Sequence, residues 1–524
     1  MGWYRTTIGP PFPGLELTRP SISQAPGMSA DMLNLEGDGL RWAKRPGISK
    51  EFSTALAGPV YDLKFAHPTV GSFASFFAIA LYRAASNVAA RGTYRPTGSG
   101  GVTDGGAISG ALTDASMIGT LHPAGGNAVL IGGPLSYTTN ARYFLAGTTT
   151  NPAVGFYLGP DGGAGSPGTA RYDVMGRHKL CMFVDRYNLA SKSSRLQFTD
   201  PDAPLVWPPN NYVDAENLGR YPSLQGFKSA GDVAYAGGSH GIYAITGATP
   251  QTFKMHETDA DCGFSGSRAC DALKGILYGI ATRLGQDTDV PFDLFAASGL
   301  SVQRFGEPVR SLVLNTNGGA YTDARVRAWP WRDAVLFMPR RAGGSAAARD
   351  VIYFHQPSKS FWKWTLPSEI SPNCFECDAG QMWIGCQDGR IRYFDAAAAN
   401  DDGTAFSSYG TSGPIIHPEG RLMRLRQLLV WGKQTGGSGN LTITVSQDGA
   451  AYAAPAGTHA ADSGAVAGEV TLPTTETNVA KRLDYPDNTT LSYVTNIKAA
   501  FAAAGIGSEV TRIDALFETG EWVS

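Results

Sequence analysis

Chemistry needs acids, bases, nucleophiles or metal ligands at workable spacings, and this chain offers few. Its histidines stand apart, at His67, His122, His178, His240, His256, His355, His417 and His459. No two share the HxxxH spacing that places a pair of imidazoles on one helix face for zinc. Cys374 and Cys377 form a CxxC with Cys386 beyond it, but no histidine lies near in sequence to complete a tetrahedral set. Together with Cys181, Cys262 and Cys270 they read as buried free thiols of a chain that folds in a reducing compartment. Gly237-Gly238-Ser239-His240-Gly241 matches G-x-S-x-G, yet a hydrolase elbow joins a strand to a helix and this one joins two strand-like runs, so it reads as a hairpin turn. Gly98 to Gly110 lacks the Lys-Ser/Thr ending of a phosphate loop. No metal, cofactor or catalytic residue is expected.

Carboxylates and aromatics need separate weighing, because all-β proteins host glycosidases. Asp185, Asp200, Asp202, Asp232, Asp333 and Asp388 lie near the ends of strand-like runs. A glycosidase requires two carboxylates about 5 to 10 Å apart across a sugar, whereas a strand-end Asp ordinarily caps a turn through its own backbone. Trp207, Trp329, Trp331, Trp362, Trp364 and Trp383 could stack sugars. The spacing in Trp329-Pro330-Trp331 and Trp362-Lys363-Trp364 puts two rings on one strand face, which reads first as core or interface. Arg421-Leu422-Met423-Arg424-Leu425-Arg426 is the main local concentration of charge; on a strand Arg424 and Arg426 share a face that is solvated, or meets DNA or an acidic neighbour.

The elements that would position these residues are strands. The 524 residues include 65 Gly and 32 Pro, with 10% aromatics and only 17% charged residues, a composition suited to short strands and tight turns. The formal charge of −2 argues against gripping nucleic acid over the whole surface. The start, Met1-Gly2-Trp3-Tyr4-Arg5, lacks a signal-type apolar core, and Thr6 makes only a formal myristoylation match. Two sequons, Asn440-Leu441-Thr442 and Asn488-Thr489-Thr490, read as chance without a secretory signal.

Asp388-Gly389 between Met382–Cys386 and Ile391–Asp395 is a tight-hairpin signature, and Val233 to Ile245 repeats the idea. Looser pairs open at Leu180, Ile276 and Ala334. Recurrence every 40 to 60 residues, roughly, fits the blades of a β-propeller. The fold class is therefore all-β: a β-propeller over 58–400, with a Gly-rich insertion at about 95–172, an extended N-terminal arm over 1–57 and a C-terminal β-rich domain over 401–524. Ala396 to Gly403 reads as a linker, and Leu491 to Ala504 is open between strand and short helix.

Four segments resemble the nozzle, or packaged-DNA-stabilising tail tube, proteins of short-tailed bacteriophages. They are Thr18-Arg19-Pro20-Ser21-Ile22-Ser23-Gln24-Ala25-Pro26; Asn34 with Leu40-Arg41 and Lys44-Arg45-Pro46-Gly47; Gln303-Arg304-Phe305-Gly306-Glu307-Pro308-Val309; and Lys359-Ser360-Phe361-Trp362-Lys363-Trp364. The resemblance implies a non-enzymatic virion protein assembled in the host bacterial cytoplasm. It would form a homohexameric ring that stacks on the tail adaptor and portal complex, carries tail fibre or needle proteins, and contacts double-stranded DNA transiently during genome ejection. No membrane anchor is expected. Arg41, Lys44, Arg45, Arg424 and Arg426 are the candidate inter-subunit or DNA-facing residues. The alternative is a glycan-binding or glycan-cleaving tail propeller.

Overall fold

The computed structural model describes residues 2–9, 14–17, 28–29, 31–38, 40–51, 55–66, 77–85, 88–94, 103–111, 120–124, 128–132, 142–145, 171–185, 195–201, 208, 210–215, 224–238, 241–266, 268–283, 292–314, 324–339, 350–436, 440–449, 469–472, 481–485 and 491–520. Among the described residues, seven sheets whose successive blade strands are antiparallel follow one another along the chain. Their first strands are Val60–Ala66, Thr120–Ala124, Arg171–His178, Leu224–Ala230, Cys270–Leu273, Arg325–Trp329 and Pro372–Asp378. Each first strand touches the next, and Pro372–Asp378 touches Val60–Ala66, so the ring closes on itself. The described residues form a β-propeller of seven blades, numbered here 1 to 7 in that order.

Turn chemistry explains the blades. Between first and second strands the chain reverses through left-handed residues: Lys179 (φ 52°) in blade 3, Gly231 (65°) in blade 4, Lys274 and Gly275 (50° and 79°) in blade 5, Asp333 (47°) in blade 6, and Ala379 and Gly380 (46° and 84°) in blade 7. Such turns match the right-handed twist of the flanking strands. The five hairpins expected from sequence all pair, including Gln381–Cys386 with Ile391–Asp395. Between blades 3 and 4, Phe183 stacks on Phe227 with centroids 5.0 Å apart; within blade 5, Phe264 stacks on Phe295 at 5.6 Å. Gly237 and Gly226 leave the room that Phe264 fills.

The N-terminal residues stitch the molecule together. Gly47–Lys50 is the outer strand of blade 7, paired with Ile391–Asp395, so the ring is locked by a strand from the far end of the chain. Gly14–Leu15 adds to the outer edge of blade 6, where Gly14 (φ 84°) sits so close that a Cβ would strike the Phe361 carbonyl. Gly2–Ile8, Met32–Leu33, Leu35–Glu36 and Trp42–Lys44 join the C-terminal sheets instead. Those two sheets carry Met423–Lys433 with Glu509–Thr519, and Asn440–Gln447 with Val494–Phe501. Their alternating inner faces (Leu425, Leu428 and Val430; Ile443, Ile497 and Phe501) are buried in one hydrophobic cluster with blades 5 to 7.

Three expectations change. The described residues within 95–172 belong to blades, not to an insertion between them: Thr103–Ala111 is the outer strand of blade 1, and Thr120–Ala124, Ala128–Gly132 and Arg142–Leu145 make blade 2. Strands built from Gly, Ala, Ser and Thr lack the large apolar alternation that advertises a strand. The helix left open at 491–504 is the strand Val494–Phe501. Trp329 and Trp331 do not share a face: Pro330 starts a 3-10 turn, burying Trp329 and leaving Trp331 77% exposed.

Candidate functional site

The first strands face the ring axis, where propellers commonly do chemistry, and here opposite charges alternate from blade to blade. Lys228 of blade 4 sits 2.6 Å from Asp271 of blade 5, whose other oxygen lies 3.3 Å from Arg327 of blade 6 and accepts the Ala328 N–H at 2.9 Å. Arg327 also pairs with Glu376 of blade 7, and Arg268 reaches Asp62 of blade 1 at 3.9 Å. Burial alone would raise the Asp271 carboxyl, but Lys228 and Arg327 hold it well below the usual carboxylate range. Burial works against the Arg327 charge, yet Glu376 and Asp271 keep it above its ordinary value. Asp271 so held is a fixed anion, poorly suited to exchanging protons near neutral pH.

Several other candidate groups have partners too, nearer the surface. Asp232 pairs with Lys179, Asp333 with Lys274 at 2.7 Å, and Asp388 chelates Arg392 at 2.9 and 2.8 Å. Asp200 accepts from Asn211, while Asp202 and Trp207 lie outside the described residues. Cys374 and Cys377, three apart on one extended strand, project to opposite faces. Burial pushes the Cys374 and Cys386 thiols up to about 12 and Cys377 up to about 11, so nucleophilic thiolate is scarce. In the G-x-S-x-G match, the Gly238 N–H bonds the Gly241 carbonyl between two strands of blade 4; Ser239 and His240 lie outside the described residues.

His178, at the inner end of blade 3, is buried between Phe183 and Phe253, with Nδ1 2.8 Å from Ser229 Oγ and, among the described residues, no hydrogen-bond partner for Nε2. Burial first, then neighbouring Lys179, lowers its pKa to about 4 from the ordinary 6.5. Between those values the unfolded chain takes up a proton that the folded chain refuses. Stability is therefore full above about 6.5 and falls as pH drops toward 4. Urea titrations between pH 7 and pH 4 are expected to show this loss, and His178→Asn is expected to flatten it.

The densest constellation lies where the propeller meets the two C-terminal sheets. Arg45 and Asp401, both side chains fully buried, form a bidentate pair at 2.9 and 2.5 Å. Arg45 Nε donates to Asn34 Oδ1 at 3.0 Å, and its guanidinium lies over Phe406, 3.9 Å from the ring centre. Asn34 is left-handed (φ 54°); its Oδ1 also accepts the Thr365 N–H of blade 6, and its Nδ2 donates to the Ser407 carbonyl. Lys44 Nζ donates to the carbonyls of Ala399 (2.8 Å), Ala503 (2.6 Å) and Gly505 (3.0 Å). Burial, then adjacent Arg45, lowers the Lys44 pKa to about 8. Gly47 passes so close to the Ala398 and Asn400 carbonyls that a Cβ would collide with them.

This placement corrects the reading of Lys44 and Arg45 as DNA-facing or inter-subunit groups. Both are consumed inside the chain, because a buried cation must be paired or caged. Arg41 is partly exposed and pairs with Glu509 and with Asp38 at 3.3 Å. Arg426 lies on Met423–Lys433 and pairs with Glu518; Arg424 sits on the same strand, half-buried. Sequence reasoning missed Asp401 and Phe406. Asp401 hides in what reads as a polar linker, and only the need of a buried arginine for a carboxylate could have pointed to it.

A cleft of about 440 Å³ between the outer strands of blades 5 and 6 is lined by Tyr278, Phe305 and Phe361, with Gln303, Gln356 and Lys359 among its polar groups. Among the described residues no cluster of histidine, cysteine and carboxylate side chains has metal-site geometry, and no helix is long and apolar enough to cross a membrane.

No protein-family model and no curated protein matches this chain. Solved structures with a similar fold include virginiamycin B lyase from Staphylococcus aureus (10% identity, TM-score 0.42, 66% of this chain and 98% of that one) and YCF48 from Cyanidioschyzon merolae (10%, 0.40, 67% and 100%). BamB from Moraxella catarrhalis is another (10%, 0.35, 66% and 97%). Likeness at this level carries no functional argument.

Proposed function

We propose that this chain is a structural virion protein, the nozzle subunit of a short phage tail, which forms a homohexameric ring below the adaptor and extends the DNA exit channel. One observation carries the reading. Two of the four segments that resemble the nozzle family meet at a single joint, and a third contacts the N-terminal residues at the outer edge of blade 6. Asn34, Lys44, Arg45 and Gly47 build the joint's polar centre. Trp362 and Trp364 are buried against it, Trp364 donating to the Leu35 carbonyl at 2.6 Å. Pro308 accepts the N–H of Leu17, where the N-terminal residues cross blade 6. Motif residues spent on locking a propeller to a second β unit suit a rigid building block, and the neutralised axial charges ask for no substrate. The fourth segment, 18–26, lies outside the described residues.

Electron microscopy of the purified chain, alone and with adaptor rings, tests this. Hexameric rings or short tubes with a central channel are expected. Monomers that never dock on adaptor would overturn the reading and favour a glycan-binding propeller, for which the aromatic-lined cleft between blades 5 and 6 is the place to look.

A further inference from the structure

The strand Gly2–Ile8 pairs, among the described residues, with Glu509–Thr519 alone, in continuous register from Gly2 opposite Thr519 to Ile8 opposite Ile513. Every second N–H and C=O along its other edge therefore faces away from the sheet. Its sequence, GWYRTTI, is rich in β-forming Trp, Tyr, Thr and Ile and holds no proline. Trp3, Arg5 and Thr7 are exposed, Trp3 by 68%. Arg5 pairs with Asp514 of its own sheet, but Arg512 holds the same carboxylate at 2.7 Å, so the group keeps a net positive charge that favours an acidic neighbour.

At the opposite end of the same sheet, Lys481–Asp484 likewise pairs, among the described residues, with one strand, Met423–Lys433. Strand polarity alternates across the sheet: Lys481–Asp484 against Met423–Lys433, that against Glu509–Thr519, and that against Gly2–Ile8. The two end strands therefore run oppositely, and a second copy's Lys481–Asp484 laid beside Gly2–Ile8 would continue the antiparallel order.

Faces match as well. Opposite-residue register puts Arg5 and Thr7 on the same face as Asp484 and Arg482, and Thr6 on the same face as buried Leu483. Bringing Arg5 beside a second copy's Asp484 sets Thr6 beside its Leu483 and Thr7 beside its Arg482, with one unlike-charge pair on the outer face and Thr6 against Leu483 on the inner.

We propose that the nozzle ring closes, at least in part, by this edge pairing: Gly2–Ile8 of one copy adds as a strand to Lys481–Asp484 of the next, a head-to-tail contact that repeats around an axis. The inference rests on the ring reading above. It is tested by placing a photo-crosslinking residue at exposed Thr7 (Thr7→p-benzoylphenylalanine) in the full chain, imaging the assembly before irradiation, and mapping the cross-linked peptides. A covalent ladder on a denaturing gel, with position 7 joined chiefly to residues 481–485 of another copy, is expected. Intact rings whose position 7 joins elsewhere, or not at all, overturn the edge pairing while leaving the ring standing. A covalent dimer joining two copies of Gly2–Ile8 overturns it in favour of a two-fold contact. A chain of unaltered sequence that stays monomeric removes the ring reading and this contact together.

Discussion

Replacing Arg45 with alanine is expected to cost about 3 to 5 kcal/mol, because it leaves the fully buried Asp401 carboxylate without its partner. Burial already pushes the Asp401 carboxyl upward against the attraction of Arg45. Without the guanidinium, Asp401 must fold protonated or open the joint to solvent. The same substitution removes the donor to Asn34 Oδ1, which ties the joint to blade 6. Denaturant unfolding reads the loss, and calorimetry is expected to split one transition into two as the propeller and the C-terminal sheets uncouple. The variant Arg45→Met with Asp401→Leu is expected to recover much of the stability, since no charge is left without a partner. If Arg45→Ala alone unfolds like the unaltered chain, the joint is not what couples the two units.

Truncating Trp362 to alanine is expected to cost a similar amount, about 3 to 5 kcal/mol, by opening a cavity beneath the N-terminal residues. Trp362 is fully buried, its Nε1 donates to Ser360 Oγ at 3.0 Å, and Gly37 lies against its ring without room for a Cβ. Gly37→Ala is therefore destabilising by overpacking, on the order of 1 to 3 kcal/mol. The two changes are opposite errors at one contact, so the double variant is expected to be less destabilised than the sum of the singles, a coupling that urea titrations of all four chains measure. Strict additivity would mean that Gly37 and Trp362 do not share a packing constraint.

The hairpin of blade 7 was legible because left-handed Gly389 closes it between alternating apolar runs. In blades 3 to 6 the second and third strands were legible from their apolar runs, while residues of their connections lie outside the described ones. Blades 1 and 2 were obscured for the converse reason. Their strands Thr103–Ala111 and Thr120–Ala124 are short of large apolar residues, so composition imitates a loop. The candidate site divides in the same way. The segment from Asn34 to Gly47 was recognisable as a unit, but the roles assigned to Lys44 and Arg45 followed charge alone, and charge does not report burial.

What the sequence by itself determined is the local grammar: all-β elements, the turns that join them, and a recurring hairpin that implies blades. The tertiary structure alone decided that there are seven, that Gly47–Lys50 closes the ring, and that Arg45 finds Asp401. Turn geometry is set by neighbours a few residues apart, whereas the Arg45–Asp401 contact spans 356 positions. Partners so distant are chosen by which buried charge is left to satisfy once the sheets have packed, and that choice exists only in the folded chain.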